Sequence, residues 1–142
     1  MLMTLAIVKS RAQEGIHAPE VSVEVHLANG LPAFSIVGLP ETAVRESRDR
    51  VRAALINSRF EFPARRITVN LAPADLPKDG GRFDLPIALG ILAASGQVDD
   101  GRFAEIEFLG ELALGGGLNP VRGVLPAAIR AHEAGRGLVV PL

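Results

Sequence analysis

The sequence predicts an α/β (α+β) domain, a mixed sheet with helices packed on it, and three observations carry that prediction. Val21, Val23, Val25 and Leu27 alternate with Ser22, Glu24 and His26, the period-two signature of a strand with one buried face. Between Pro40 and Asn57 the apolar residues recur instead at helical spacing. The chain has 142 residues, 48% of them hydrophobic and 22% charged, which is too apolar for disorder. That length suits one core burying roughly 68 to 70% of the unfolded surface.

Taken in order, Leu5-Ala6-Ile7-Val8 reads as a strand, followed by the alternating strand at 21–27. Asn29-Gly30 then leads into Pro32-Ala33-Phe34-Ser35-Ile36-Val37, which predicts a hairpin between these two strands, with 5–8 as a third partner. Pro40 suits a first helical position and Glu41 the positive end of a helix in which Val44, Ser47, Val51, Ala54 and Leu55 form the apolar stripe. Ile67, Val69 and Leu71 make the next strand. A second helix runs from Asp84, an N-cap candidate, to Ser95 with Gly96 as its stop, and apolar residues surround its axis, so it should be buried on nearly every side. Strands follow at 106–114 and 138–140, flanking a third helix from Val124 to Ala134. The last strand ends at Pro141-Leu142, where a further covering element is expected, so the chain reads as the N-terminal piece of something longer; a complete small domain is the alternative.

Several chemistries are excluded. Without cysteine there are no disulfides, thiolate nucleophiles or thiolate zinc sites, and the compartment reading is cytoplasmic. No apolar stretch is long enough to cross a membrane as a helix. Of the two lysines, Lys9 precedes Ser10 but follows Ala6-Ile7-Val8 with no glycine, and Lys78 is followed by Asp79, so neither belongs to a phosphate-binding loop, and Gly115-Gly116-Gly117 reads as a tight turn. His17, His26 and His132 are far apart, no HExxH or calcium-loop spacing occurs, and no structural metal is expected. A net charge of −1 denies the chain the global field of a dedicated nucleic-acid binder, so any such binding must be local. Six aromatics, all phenylalanine, argue against an extended stacking platform.

Two features remain. Arg45, Arg48 and Arg52 share one side of the first helix and could grip phosphates, while Glu41–Arg45 and Glu46–Arg50 are spaced as stabilising pairs of a solvated face. Both readings stay open. The glycine pair in Leu76-Pro77-Lys78-Asp79-Gly80-Gly81-Arg82-Phe83-Asp84 makes either a loop that approaches a partner closely or a simple turn and helix cap.

The stretches GLPETAVRESRDRVRAAL, ITVNLAPADLPKDGGRFDLPIALGILAASG and GELALGGGLNPVRGVLPAAIRAHEAG, in that order, closely resemble the N-terminus of the ComM/YifB family of Mg-chelatase-like AAA+ ATPases. The resemblance covers essentially the whole chain. It implies a Lon protease-like fold, that of the second domain of ribosomal protein S5, with residues 1–142 as one domain truncated before a downstream ATPase module. ATP and magnesium would belong to that module, and no cofactor to this fragment. The implied parent is a cytoplasmic, hexameric ring that drives DNA branch migration during natural transformation.

Lon-like proteases use a serine and a lysine. The positions after Pro77-Lys78-Asp79-Gly80 that would carry the serine are Gly81, Arg82 and Phe83, and the lysine position falls near Leu125, so the resemblance implies a retained fold without catalytic residues. Such a domain would assist ring assembly or contact DNA, its partners being the ATPase module, neighbouring subunits and DNA, with no membrane. The residues expected to make such contacts are Arg45, Arg48, Arg52, Lys78 and Arg82. A purely structural oligomerisation domain and a divergent peptidase are the alternatives.

Overall fold

The computed structural model describes residues 4–78 and 80–142. Asp79, in the middle of the glycine-pair loop, lies outside the described residues. The elements run β1 (Thr4–Arg11), β2 (Glu20–Ala28), β3 (Ala33–Val37), α1 (Glu41–Asn57), β4 (Arg66–Ala72), α2 (Asp84–Ala94), β5 (Ile106–Phe108), β6 (Glu111–Leu112), β7 (Leu118–Asn119), α3 (Val124–Glu133) and β8 (Gly137–Val139). Six strands form one mixed sheet in the order β3-β4-β2-β1-β5-β8, and β6-β7 form a separate hairpin.

The period-two strands behave as their spacing demands. Val23, Val25 and Leu27 of β2 stand opposite Leu71, Val69 and Ile67 of antiparallel β4, and all six are fully buried on one face. α2 lies over β1 and β2 on that face, and α1 packs beside it against β3. Gly90 permits the closest approach: a Cβ there would collide with the side chain of Val25. On the sheet's other face, Ser22, Glu24 and His26 are only half-buried and Leu5 and Ile7 are exposed, so this is a two-layer domain with helices on one side of its central strands.

Four expectations require correction. β2 and β3 do not pair as a hairpin: β4 lies between them, antiparallel to β2 and parallel to β3. The long apolar ladder of β4 competes better for the flank of β2, and α1 provides the crossover that a parallel β3–β4 pair needs. The strand expected at 106–114 is broken at Gly110, whose amide donates to the Arg82 carbonyl (2.9 Å) and whose carbonyl accepts from the Leu85 amide (3.0 Å), pulling the chain from the sheet toward the start of α2. Asp84 is not an N-cap, because a 3-10 turn over Gly81–Phe83 runs straight into α2 and leaves Asp84 as its first residue. Pro40 lies at the N-cap of α1 rather than inside it. The glycine triplet does make a tight turn, closing β6-β7 through the Ala113 amide and the Gly117 carbonyl (2.8 Å).

Candidate functional site

The two stretches that would carry a Lon-like dyad meet in the fold. Arg82 Nη1 donates to the Arg122 carbonyl (2.7 Å) and Nε to the Arg11 carbonyl (3.0 Å), so the loop before α2 is tied to the segment before α3. Between them lies a cleft of about 340 Å³ lined by Gln13, Gly81, Arg82, Glu111, Val121 and Arg122, among others, with no hydroxyl or amine among its lining side chains. A Cβ on Gly81 would fall 2.5 Å from Glu111 Oε2 and 2.8 Å from Arg50 Nη2, Phe83 is buried in the core, and Leu125 is 71% exposed. An arginine remains charged and cannot take a proton from a hydroxyl.

A serine and a lysine do meet elsewhere, as a cross-strand pair on the open face of the sheet. Lys9 Nζ donates to Ser22 Oγ (3.0 Å) and to Glu20 Oε2 (3.2 Å). An ammonium donating to a carboxylate and a hydroxyl together is placed as a hydrogen-bond donor rather than as a base. Glu20 is held below the usual carboxylate range chiefly by its hydrogen bond from Arg136 and secondarily by Lys9, against the opposing effect of burial.

The five residues expected at a contact surface divide into two groups. Lys78 is only 5% exposed, and its ammonium donates to the carbonyls of Pro73 (2.5 Å) and Leu76 (2.9 Å), closing its own loop. Burial pushes its pKa below the ordinary lysine value, partly opposed by Asp75. Arg82 is equally buried and engages the two carbonyls already described. Arg45, Arg48 and Arg52 remain on the outer side of α1. Arg48 Nη1 donates to the Phe34 carbonyl (3.0 Å), and the Arg52 guanidinium lies 5.0 Å from the centre of the Phe62 ring.

The expected pairing along α1 is corrected by the fold. Arg50 turns inward to Asp84 (Nε to Oδ2, 2.6 Å) instead of to Glu46, and Glu41–Arg45 is not among the ion pairs of the described residues. Ser47 Oγ donates to Asp84 Oδ1 (2.6 Å) and the Leu112 amide to Oδ2 (3.1 Å). Burial nevertheless raises Asp84 above the usual aspartate value, with Arg50, Ser47 and the Leu112 amide opposing it.

Sequence reasoning missed a second buried cluster. Glu107 on β5 is fully enclosed and accepts from Arg11 Nε (2.7 Å), Arg11 Nη2 (2.9 Å) and Arg136 Nη1 (3.0 Å). No spacing links residues 11, 107 and 136; only the β1-β5-β8 order brings them together. It also missed the aromatic cleft at the edge of α1, where Phe34 and Phe62 lie 5.5 Å apart at 44°.

No residue set among the described residues matches the ATP and magnesium implied by the family resemblance. Among the described residues no three His, Asp or Glu side chains come together, and Lys9 lies within a strand while Lys78 closes its own loop. Among the described residues no helix is long and apolar enough to cross a membrane.

The family described as "Subunit ChlI of Mg-chelatase" has a sequence profile that matches residues 23–142. Over 138 residues the chain is 60% identical to "Competence protein ComM" of Haemophilus influenzae and 55% identical to the protein YifB of Escherichia coli, in each case over 97% of this chain. A mycobacterial protein, Rv2897c of Mycobacterium tuberculosis, is 42% identical over the same share. The chain spans 27% of the length of these relatives. It therefore belongs to the family of Mg-chelatase-like ChlI domains, of the kind found in ComM and YifB.

Proposed function

We propose that the chain is a noncatalytic, Lon protease-like (ribosomal S5 domain 2-like) domain of a larger cytoplasmic AAA+ ATPase related to ComM. In that machine it assists ring assembly or DNA contact while the ATP-driven step, DNA branch migration, belongs to the rest of the protein. The observation that carries this reading is the family match together with Gly81, Arg82, Phe83 and Leu125 at the positions of a Lon-like dyad. Function then depends on surface, and the contact role falls to Arg45, Arg48 and Arg52. Lys78 and Arg82 serve the architecture of the loop, because their charged groups are buried as well as directed at backbone carbonyls, whereas Arg48, which also donates to a carbonyl, is only half-buried.

The test is the triple charge reversal R45E/R48E/R52E in the full-length protein. Lost branch migration with the ring intact by analytical ultracentrifugation supports DNA contact, and loss of the ring itself supports the assembly role. ATP hydrolysis or peptide cleavage by residues 1–142 alone would overturn the reading.

A further inference from the structure

The cleft at the outer edge of α1 joins three features of a base-binding site. It has a volume of about 320 Å³ and is lined by Pro32, Phe34, Arg52, Phe62 and Pro63 together with small alanines. That is the low end of ligand pockets, about 300 to 1,000 Å³, and suits one planar group rather than a run of them. Both rings are half-buried and packed against the core, so they are held in place before any ligand arrives. Arg52 is exposed and stacks over Phe62, presenting a guanidinium plane at the mouth.

The surroundings favour a polyanion. Arg48 and Arg45 continue from Arg52 along the same side of α1, the three spanning about 10 Å of helix. Glu41 and Asp49 on the same helix offset part of this charge, so in a chain whose net charge is −1 the attraction is confined to the arginine row itself.

We propose that this cleft receives one unstacked base of a single-stranded nucleic acid, stacked on Arg52 and Phe62, while Arg48 and Arg45 meet the adjoining phosphates. Duplex cannot use the cleft without unpairing a base. Six phenylalanines cannot make an extended platform, yet two of them beside an arginine suffice for one base. The inference rests on the DNA-contact reading and adds to it a strand preference and a position.

The experiment uses the full-length protein and photo-crosslinking to oligonucleotides carrying 5-iodouracil, as single-stranded DNA, single-stranded RNA and duplex DNA. The expected result is a crosslink to the peptide containing Phe62 or Phe34 with single strands and none with duplex; equal yields with DNA and RNA would assign recognition to base and phosphate, and a DNA excess to the sugar as well. F62L and R52K should each weaken single-strand capture between about fivefold and a hundredfold, with the salt dependence unchanged. R52K alters an exposed side chain only, so its result stands even if F62L disturbs folding. Single-strand crosslinks confined to other regions, with wild-type behaviour of R52K, would overturn the cleft as a base site. Lost branch migration in R45E/R48E/R52E would in that case still support DNA contact by the helix.

Discussion

Arginines in this domain face two environments, and α1 contains both. Arg50 turns inward to a fully enclosed aspartate, while on the same helix Arg45 and Arg52 are exposed and the half-buried Arg48 reaches only as far as the Phe34 carbonyl on the edge strand. The inward group continues at the far end of the sheet, where Arg11 and Arg136 converge on Glu107. What separates the groups is desolvation. A buried cation without its carboxylate costs several kcal/mol, about 3 to 5 when one partner is removed, whereas an exposed one costs almost nothing. Inward arginines therefore hold the fold, and outward ones are available to a partner.

The largest effect should come from E107A, which leaves Arg11 and Arg136 facing an empty buried position. We expect a loss of about 3 to 5 kcal/mol, read as a lower urea midpoint in far-ultraviolet circular dichroism. A change below about 1 kcal/mol would mean that the inward cluster is no more structural than the outward row.

Next comes S47A, which removes one donor from the enclosed Asp84 and should cost about 1 to 3 kcal/mol. The same cluster differs from Glu20 in its pH dependence. Glu20 is held low, so its contribution is present above its unfolded value and is lost as pH falls through the folded one. Asp84 is held high, so its contribution is full below its unfolded value and is lost as pH rises through the folded one. On acidification the stability gap between wild type and E20Q should shrink, while wild type should gain relative to D84N. Parallel slopes for the two variants would remove the distinction.

Much of the fold was legible because it rests on local periodicity. Val23, Val25 and Leu27 announce a one-faced strand, and Ser47, Val51, Ala54 and Leu55 announce the buried stripe that α1 presents. The strand order was not legible, since the Asn29-Gly30 turn signals a change of direction and cannot reveal that β4, some forty residues later, will occupy the intervening place. The sign of each charge was legible and its destination was not. Arg50 lies four residues after Glu46 on an ideal helix, yet Asp84 on another helix takes it. Phe34 and Phe62 carry no mutual spacing signal, and they meet because β3 and the loop after α1 converge beside Arg52.

A smaller effect concerns Arg59, at the end of α1. Its amide donates to the Ile56 carbonyl and the Phe60 amide to that of Leu55, a Schellman ending in which the left-handed position is usually glycine, but here Arg59 holds it at φ 70°. R59G should raise stability by up to about 1 kcal/mol in thermal unfolding, since glycine accepts that backbone freely and offsets part of the gain through its own chain entropy. A loss instead would mean that the Arg59 side chain belongs with the inward group.

The smallest effect, and the one that most sharpens the contrast, is R45A. Arg45 is exposed and in no ion pair among the described residues, so its removal should shift stability by less than about 0.5 kcal/mol. Removing one phosphate contact should nevertheless reduce the salt dependence of single-strand binding by slightly less than one unit of slope, about 0.7. A variant that unfolds like wild type but releases nucleic acid at lower salt would place Arg45 on the partner's side of the division. Unchanged stability together with an unchanged slope would leave it a solvated charge, and nucleic-acid contact would then have to rest on Arg48 and Arg52 alone.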